Sequence, residues 1–324
     1  MHGMHDSLPQ QFRSRFHHVA TPRKDLPFPR LAASLGHAVS GSIGSTLKGK
    51  TFGGLAASEQ GEYGMRQIQV DTNLCKKDGA CVAVCPSGVL TLNEERLPEE
   101  VAGVNCILCG HCVAVCDCGA LTHSALPRED FLLASKQLPA PAIIDGFLMS
   151  RRSVREFKDR PIARETLQAL LDVARRAPTG HNTQKLHWIV VNDAAKVHAL
   201  SVEAMNWLRT SDIPPVKLEQ WARGYDVVLR GAPTVILACA PADYQWAKQD
   251  CAIALTFLEL AAEARGLGAC WAGYLTRVAE AHPPLRQALA VPENYIVHGG
   301  LMLGERKYSY RLVPPRKPLS VQWL

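Results

Sequence analysis

From Pro139 onward the apolar positions fall into alternating helical and strand-like runs. Ile143, Ile144, Phe147 and Leu148 share helical spacing. Leu167, Leu170, Leu171 and Ala174 repeat it until Pro178 stops the helix. HWIVVN (187–192), TVILACA (234–240) and YIVHGGLMLG (295–304) read as buried strands. DCAIALTFLELAAEARGLG (250–268) is apolar on most faces of a helix, with Asp250 as its expected N-cap and Gly266 or Gly268 as its stop. Such a helix belongs in a core or a subunit interface. Before Pro139 only two short strands stand out, RQIQVD (66–71) and GVLTLN (88–93).

Four segments follow: a leader (1–64), a cysteine-rich module (65–122), a linker (123–145) and a main domain (146–324). The leader is rich in Gly, Ser, His, Pro and Arg and weakly periodic, so it is expected to be disordered or loosely attached. A targeting segment, or a natural start at Met65, are the alternatives. At 324 residues, 47% hydrophobic and 20% charged, the composition is that of an ordinary soluble protein. The net charge of +6 comes without a basic run interleaved with aromatics, which argues against nucleic acid as a partner. No apolar stretch of about 18 residues predicts a membrane span. Of the 11 cysteines, 8 lie between Cys75 and Cys118 at metal-ligand spacing, which points to a reducing, cytoplasmic compartment. Cys239, Cys251 and Cys270 sit in apolar runs and read as small buried hydrophobes.

Cys106, Cys109, Cys112 and Cys116 have the full ligand spacing of a bacterial-type ferredoxin. Cys75, Cys81 and Cys85-Pro86 repeat the frame, with Asp78 in the place of the second cysteine. A zinc site, which takes two cysteine pairs around a longer loop, fits this pattern poorly. The resemblance to two-cluster ferredoxins implies crossed ligation. One cluster would take Cys85, Cys106, Cys109 and Cys112, and the other Cys75, Asp78, Cys81 and Cys116. The Asp78 corner would be carboxylate-ligated, solvent-ligated or lost to leave a three-iron cluster, because a carboxylate holds a soft iron less tightly than a thiolate does. Nothing in the spacing puts Cys118 near that corner, and it reads as a spare. Asp117 replaces the proline that the motif has after its last cysteine.

Three segments of the main domain carry candidate chemistry, although no Gly-rich dinucleotide fingerprint is present. In SRRSVREF (150–157), Arg151, Arg152, Ser153 and Arg155 suit a phosphate and an electron-rich ring edge, or else form a solvated basic turn. APTGHNTQ (177–184) offers small and amide-bearing groups, and by itself is an ordinary turn. In GLGACWAGY (266–274), glycines allow backbone N–H groups to approach a ligand. In this order, with GERKYSYRLVPPRKPL (304–319) behind them, the segments resemble the nitroreductase family of FMN enzymes, in the branch preceded by a two-cluster ferredoxin. The resemblance runs from about Phe147 to the C-terminus. It implies that Arg151 and Arg316 hold the FMN phosphate, with Arg311 and Lys317 as weaker candidates. Arg152 would lie in the same cofactor cluster, and Ser153 would reach the phosphate or ribityl chain. Arg155 would face the N1–O2 edge of the ring. Thr179, Gly180, Asn182 and Gln184 would belong to the flavin site, the first three reaching it from a partner subunit. The backbone of Ala272 and Gly273 would lie near flavin N5. No side chain is expected to act as a catalytic acid or base. Lys185 follows Gln184 where the family often has proline, which adds a positive charge near the flavin. His181 and His187 read as structural.

The expected fold is α+β, a dimeric sandwich around a mostly antiparallel sheet, preceded by a small two-cluster domain. The expected function is an oxidoreductase whose iron–sulfur clusters pass electrons to FMN. The flavin would reduce a nitroaromatic, a quinone or a similar conjugated acceptor, with reduced ferredoxin, flavodoxin or NAD(P)H as donor. A reductase or dehydrogenase of one metabolite, and a non-catalytic redox sensor or electron-transfer subunit, remain alternatives. Residues 203–230 fall where the family inserts a helical lid. There Trp207, Trp221 and Tyr225 either shape a flat substrate slot or pack the lid onto the domain.

Overall fold

The computed structural model describes residues 67–211 and 213–324; the leader and the Met65 start lie outside the described residues. The cysteine-rich module is built from two short antiparallel pairs. β1 (Ile68–Val70) pairs with β4 (Leu121–His123), and β2 (Leu90–Leu92) with β3 (Pro98–Glu100). Two small helices, α1 (Ala80–Ala83) and α2 (His111–Val115), open after Gly79 and Gly110, at φ 76° and 71°. Those glycines occupy equivalent places in the two cysteine runs, after Asp78 and Cys109. A left-handed residue there turns the chain from ligand loop into helix at little steric cost. Ile68, Val89, Leu90, Val113 and Leu121 form the module's own core.

The main domain is a four-stranded antiparallel sheet in the order β5 (His187–Val191), β6 (Thr234–Pro241), β8 (Tyr295–Glu305), β7 (Leu267–Trp271). β6 is buried along nearly its whole length because it has helices on both sides. Val235, Leu237 and Cys239 face one cluster with α5 (Ala194–Leu208), α8 (Gly273–Ala281) and α9 (Pro283–Ala288). Ile236, Ala238 and Ala240 face the other, with α4 (Arg164–Ala174) and α7 (Ala247–Ala264). Period-two alternation in a strand apolar after Thr234 thus produces a three-layer stack. Cys239, Cys251 and Cys270 are buried in it, and burial pushes the Cys239 and Cys251 thiols up to about 12.

β8 carries a bulge. Ala238 pairs with Gly299 and Cys239 with Val297, which leaves His298 unmatched, and its buried Nε2 has no partner among the described residues. The extra residue changes the strand's parity, so that Val297 and Met302 pack on the same side of the sheet.

One expectation is corrected here. α7 begins at Ala247, so Asp250 is not its cap but a buried carboxylate in its first turn. Within the single chain, Ile253 and Phe257 of this helix are exposed one turn apart, which leaves the subunit-interface alternative open. α3 (Pro141–Ser150) likewise exposes Ile143, Ile144, Leu148 and Met149.

The RRSVREF segment runs along the open edge of the sheet. Val154 N–H donates to Ala269 O at 2.9 Å, Lys158 N–H to Glu305 O at 2.9 Å, and Lys307 N–H to Glu156 O at 3.1 Å. Val154 is seated over Gly268, where an added Cβ would lie 2.6 Å from its Cγ1. Gly268→Ala should therefore cost about 1–3 kcal/mol by overpacking, a fall in Tm of roughly 2–4 °C per kcal/mol. Adding Val154→Ala should recover part of the loss in thermal unfolding. An unchanged Tm in the single variant would contradict the contact.

Candidate functional site

The module's ligand candidates line two cavities. The first is lined by Cys75, Asp78, Cys81 and Cys116. The second is lined by Cys85, Cys106, Cys109 and Cys112. Backbone amides donate to sulfurs of the second set, Val89 N–H to Cys85 Sγ at 3.3 Å and Leu108 N–H to Cys106 Sγ at 3.4 Å. Burial pushes the thiols of Cys81 and Cys106 up, and that of Cys112 to about 11. A metal bound there must displace protons to obtain its thiolates.

His123 was not picked out by spacing, yet it lies buried at the second cavity. Its Nδ1 accepts from Ala125 N–H at 3.1 Å, which leaves Nε2 to carry the proton, 3.6 Å from Cys106 Sγ. Burial holds its pKa below the ordinary histidine value, against an opposing pull from Glu100.

Asp78 is exposed, and its Oδ1 accepts from Ala80 N–H at 2.9 Å. Cys118, a spare by its spacing, stands at this corner in the structure. Cys118 is part of the first cavity's wall, with its sulfur 3.7 Å from Cys116 Sγ. Asp117 pairs with Lys76 at 2.8 Å on the rim.

In the main domain, Arg151 Nη1 is bound to Glu259 Oε1 at 2.8 Å. Glu259 is 5% exposed, and burial pushes its carboxyl up despite the pull of Arg151. The pair therefore serves to fix the guanidinium rather than to stabilise the fold greatly. Arg152 lies over the Tyr310 ring at 5.9 Å. Arg155 is exposed and touches Ser153 O at 3.3 Å. GLGACWAGY contains β7 and the start of α8. Ala272 N–H is already spent on Gly300 O at 2.8 Å, which removes it as a ligand donor. Gly273 is exposed at the first turn of α8, with no atom within 4 Å of where a Cβ would stand. Arg311, Arg316 and Lys317 lie in an exposed C-terminal tail without regular structure, and no hydrogen bond or ion pair among the described residues joins them to Arg151.

The APTGHNTQ turn is held from behind. Asp250 accepts from Gly180 N–H at 3.2 and 3.1 Å and from the Tyr244 hydroxyl, which also meets Thr183 Oγ1 at 2.6 Å. Burial, and then the bond to Asp250, raise the Tyr244 pKa. Gly180 is obligatory, since a Cβ there would stand 2.4 Å from the Trp246 indole. Gln184 N–H donates to Thr179 Oγ1 at 3.1 Å, and Lys185 lies over the Tyr244 ring at 5.4 Å. His181, Asn182 and Gln184 have φ of 52°, 53° and 50°. Left-handed non-glycine residues cost roughly 1–3 kcal/mol each and persist only where the surroundings enforce them. Asn182 does not hold its amide free for a ring: Nδ2 donates to Ile107 O at 3.0 Å and Leu108 O at 2.9 Å.

The lid aromatics divide. Trp207 and Trp221 pack against the buried cluster, so they do not form an open slot. Tyr225 is exposed, with its hydroxyl 3.3 Å from Glu156 Oε1. His187 stacks edge-on with Tyr295, and His181 is exposed. The sequence signal for Asp250 and Glu259 was a pair of acids inside an apolar helix. No sequence signal marks Asn182 as a contact to the cysteine module.

Comparison with known proteins matches this layout. The family model for the nitroreductase family covers residues 148–305, and that for a 4Fe-4S dicluster domain covers residues 67–117. A provisionally named NADH dehydrogenase/NAD(P)H nitroreductase of Archaeoglobus fulgidus is 31% identical over 165 residues, 49% of this chain and 83% of its own. The chain belongs to the nitroreductase family. It is an oxidoreductase with a 4Fe-4S dicluster domain at the front of the described residues. A nitrobenzene nitroreductase of Ectopseudomonas oleovorans is 26% identical over 204 residues, 52% of this chain and 88% of its own. A Bacteroides fragilis nitroreductase crystallised with FMN is 26% identical, with a TM-score of 0.48 over 55% of this chain and 94% of its own. No helix among the described residues is long and apolar enough to cross a membrane.

Asp250→Ala should destabilise the protein by about 2–4 kcal/mol, because it leaves the Gly180 N–H unpaired and the Tyr244 hydroxyl with only its weaker neutral partners, Thr183 Oγ1 and Gly180 O. Tyr244→Phe removes a donor together with its need and should cost about 1 kcal/mol. Denaturant unfolding of both variants checks the order, and equal losses would contradict it.

Proposed function

We propose that this oxidoreductase binds FMN at the segments around Arg151, Gly180 and Gly273 and two iron–sulfur clusters in the cysteine module, and reduces a nitroaromatic, quinone or similar conjugated small molecule. The observation that carries the reading is the pair of cavities, each lined by one crossed ligand set, beside a nitroreductase domain in the same chain. The donor sets fit the groups. Thiolates with amide N–H bonds on their sulfurs suit iron–sulfur clusters. The basic edge of Arg151, Arg152 and Arg155, with the open amide end at Gly273, suits a phosphate and an anionic ring. When bound, the clusters supply single electrons and FMN converts them to two-electron chemistry at N5.

The chain's own residues bind and orient. Glu259 holds Arg151 by one guanidinium nitrogen, leaving its other donors for phosphate. The exposed Arg155 offers positive charge at the sheet edge. Reduced ferredoxin, flavodoxin or NAD(P)H would be the electron donor.

A homodimer is part of the reading. Arg151 lies at Glu259 and the Gly180 turn at Asp250, nine residues apart on α7, or roughly 14 Å at the helical rise. Two halves that far apart are more readily completed by a second copy. Exposed apolar residues offer it a surface: Ile253 and Phe257 on α7, Ile143 and Met149 on α3, and Leu312, Leu319 and Trp323 in the tail.

Purified protein should contain about one FMN per chain. The double variant Arg151→Ala, Arg316→Ala should lose it, since each charge-assisted phosphate contact is worth roughly 1.5–3 kcal/mol. Full flavin content in that variant would overturn the phosphate assignment. Anaerobic screening of acceptors against reduced protein tests the activity.

The cluster at Asp78 should be the labile one. Mild oxidation in air should convert it to a three-iron form before the all-thiolate cluster changes, and Asp78→Cys should prevent this. Electron paramagnetic resonance reads the conversion. If no three-iron signal appears, Cys118, already in that cavity wall, completes the cluster instead.

A further inference from the structure

We infer that the cluster held by Cys85, Cys106, Cys109 and Cys112 is the one joined to the flavin domain, and that Asn182 is the positioning residue that latches its ligand loop there. The inference rests on the cofactor reading given above.

Asn182 Nδ2 donates to the carbonyls of both residues that follow Cys106, Ile107 at 3.0 Å and Leu108 at 2.9 Å. Leu108 in turn gives its N–H to Cys106 Sγ at 3.4 Å. A short relay therefore runs from a ligand sulfur, through one peptide residue, to the turn expected to meet the flavin. Among the described residues, no side-chain hydrogen bond or ion pair links residues 75–81 or 116–118 to the main domain; they pair within the module, Lys76 with Asp117, Asp78 with Ala80, Lys77 O with Arg96 and Cys116 with Cys118. Both sides of the latch carry left-handed backbone, φ 52° at Leu108 and 53° at Asn182. Lys77, at the equivalent place in the first cysteine run, has φ 56° without such a contact, so the Leu108 conformation belongs to the ligand loop, and it is the strain at Asn182 that its surroundings enforce. On the Asn182 side the enforcement is visible, because Asp250 and Tyr244 grip Gly180 and Thr183 on either side of the turn.

The Asp78 cluster is then the outer one, first to meet a donor. Electrons would cross the latch one at a time, each leaving the inner cluster oxidised by one unit. Two of them, with two solvent protons, complete one two-electron reduction of the acceptor. A low-potential one-electron donor of the ferredoxin or viologen class restores the clusters.

The test uses the full-length holoprotein with Asn182→Ala, and with Asn182→Asp as a second variant that keeps the size but turns a carboxylate toward the two carbonyls. Iron, sulfide and FMN per chain should stay at wild-type values. In a redox titration followed by electron paramagnetic resonance, the all-thiolate cluster should shift to a more negative potential, because its sulfur loses hydrogen-bond support. The Asp78 cluster, known by its three-iron conversion, should not move. After mixing with reduced viologen, flavin bleaching should slow at least tenfold. The inference is overturned if the Asp78 cluster shifts instead, if neither potential nor rate changes, or if the variants lose FMN, which would make Asn182 a flavin ligand. Wild-type protein that holds iron but no flavin would instead refute the FMN reading, and the cluster potentials would still report on the latch.

Discussion

A carboxylate buried in an apolar helix must find donors, and those that Asp250 finds determine where the 177–184 turn stands. With Gly180 N–H and the Tyr244 hydroxyl committed to it, the turn cannot relax out of its left-handed residues. The Trp246 indole closes the remaining space over Gly180. Everything on the solvent side of that turn, including the reach of Asn182 to the cysteine module, depends on this one buried anchor.

The same logic holds at the other end of α7, where Glu259 fixes Arg151. One helix thus supplies two acids, each immobilising a segment that comes from elsewhere in the chain. Burial works against Glu259 as a source of stability and in its favour as a source of geometry. The sheet supplies the rest: β7 draws Ser153 and Val154 alongside it, so two segments more than a hundred residues apart share one edge.

Features set by short-range spacing were legible in the sequence. The helix over Leu167–Ala174, the buried run of β6 and the cysteine frame depend on residues close along the chain, where period and ligand spacing speak directly. The ends of elements were less legible. Asp250 has the chemistry of a cap, and only the positions of Tyr244 and Gly180 show that it serves another purpose. β3, with the sequence Pro-Glu-Glu, has no alternation to read, and exists because Leu90 and Leu92 present a partner edge. Trp207 and Trp221 looked equally suited to a slot or a core, and their neighbours from other elements decided for the core. The reach of Asn182 to Ile107 joins positions 75 residues apart, which no local pattern encodes.

The bulge at His298 has a consequence for how this chain can change over evolutionary time. Val297 and Met302 are an odd number of residues apart, yet they pack on the same side of the sheet, because one residue between them goes uncounted. Deleting that residue would not merely shorten a strand. It would turn Tyr295 and Val297 inside out relative to Leu301, Met302 and Leu303, and send apolar groups to the wrong layer. Its residue count thus works as a frame that a single insertion or deletion would break.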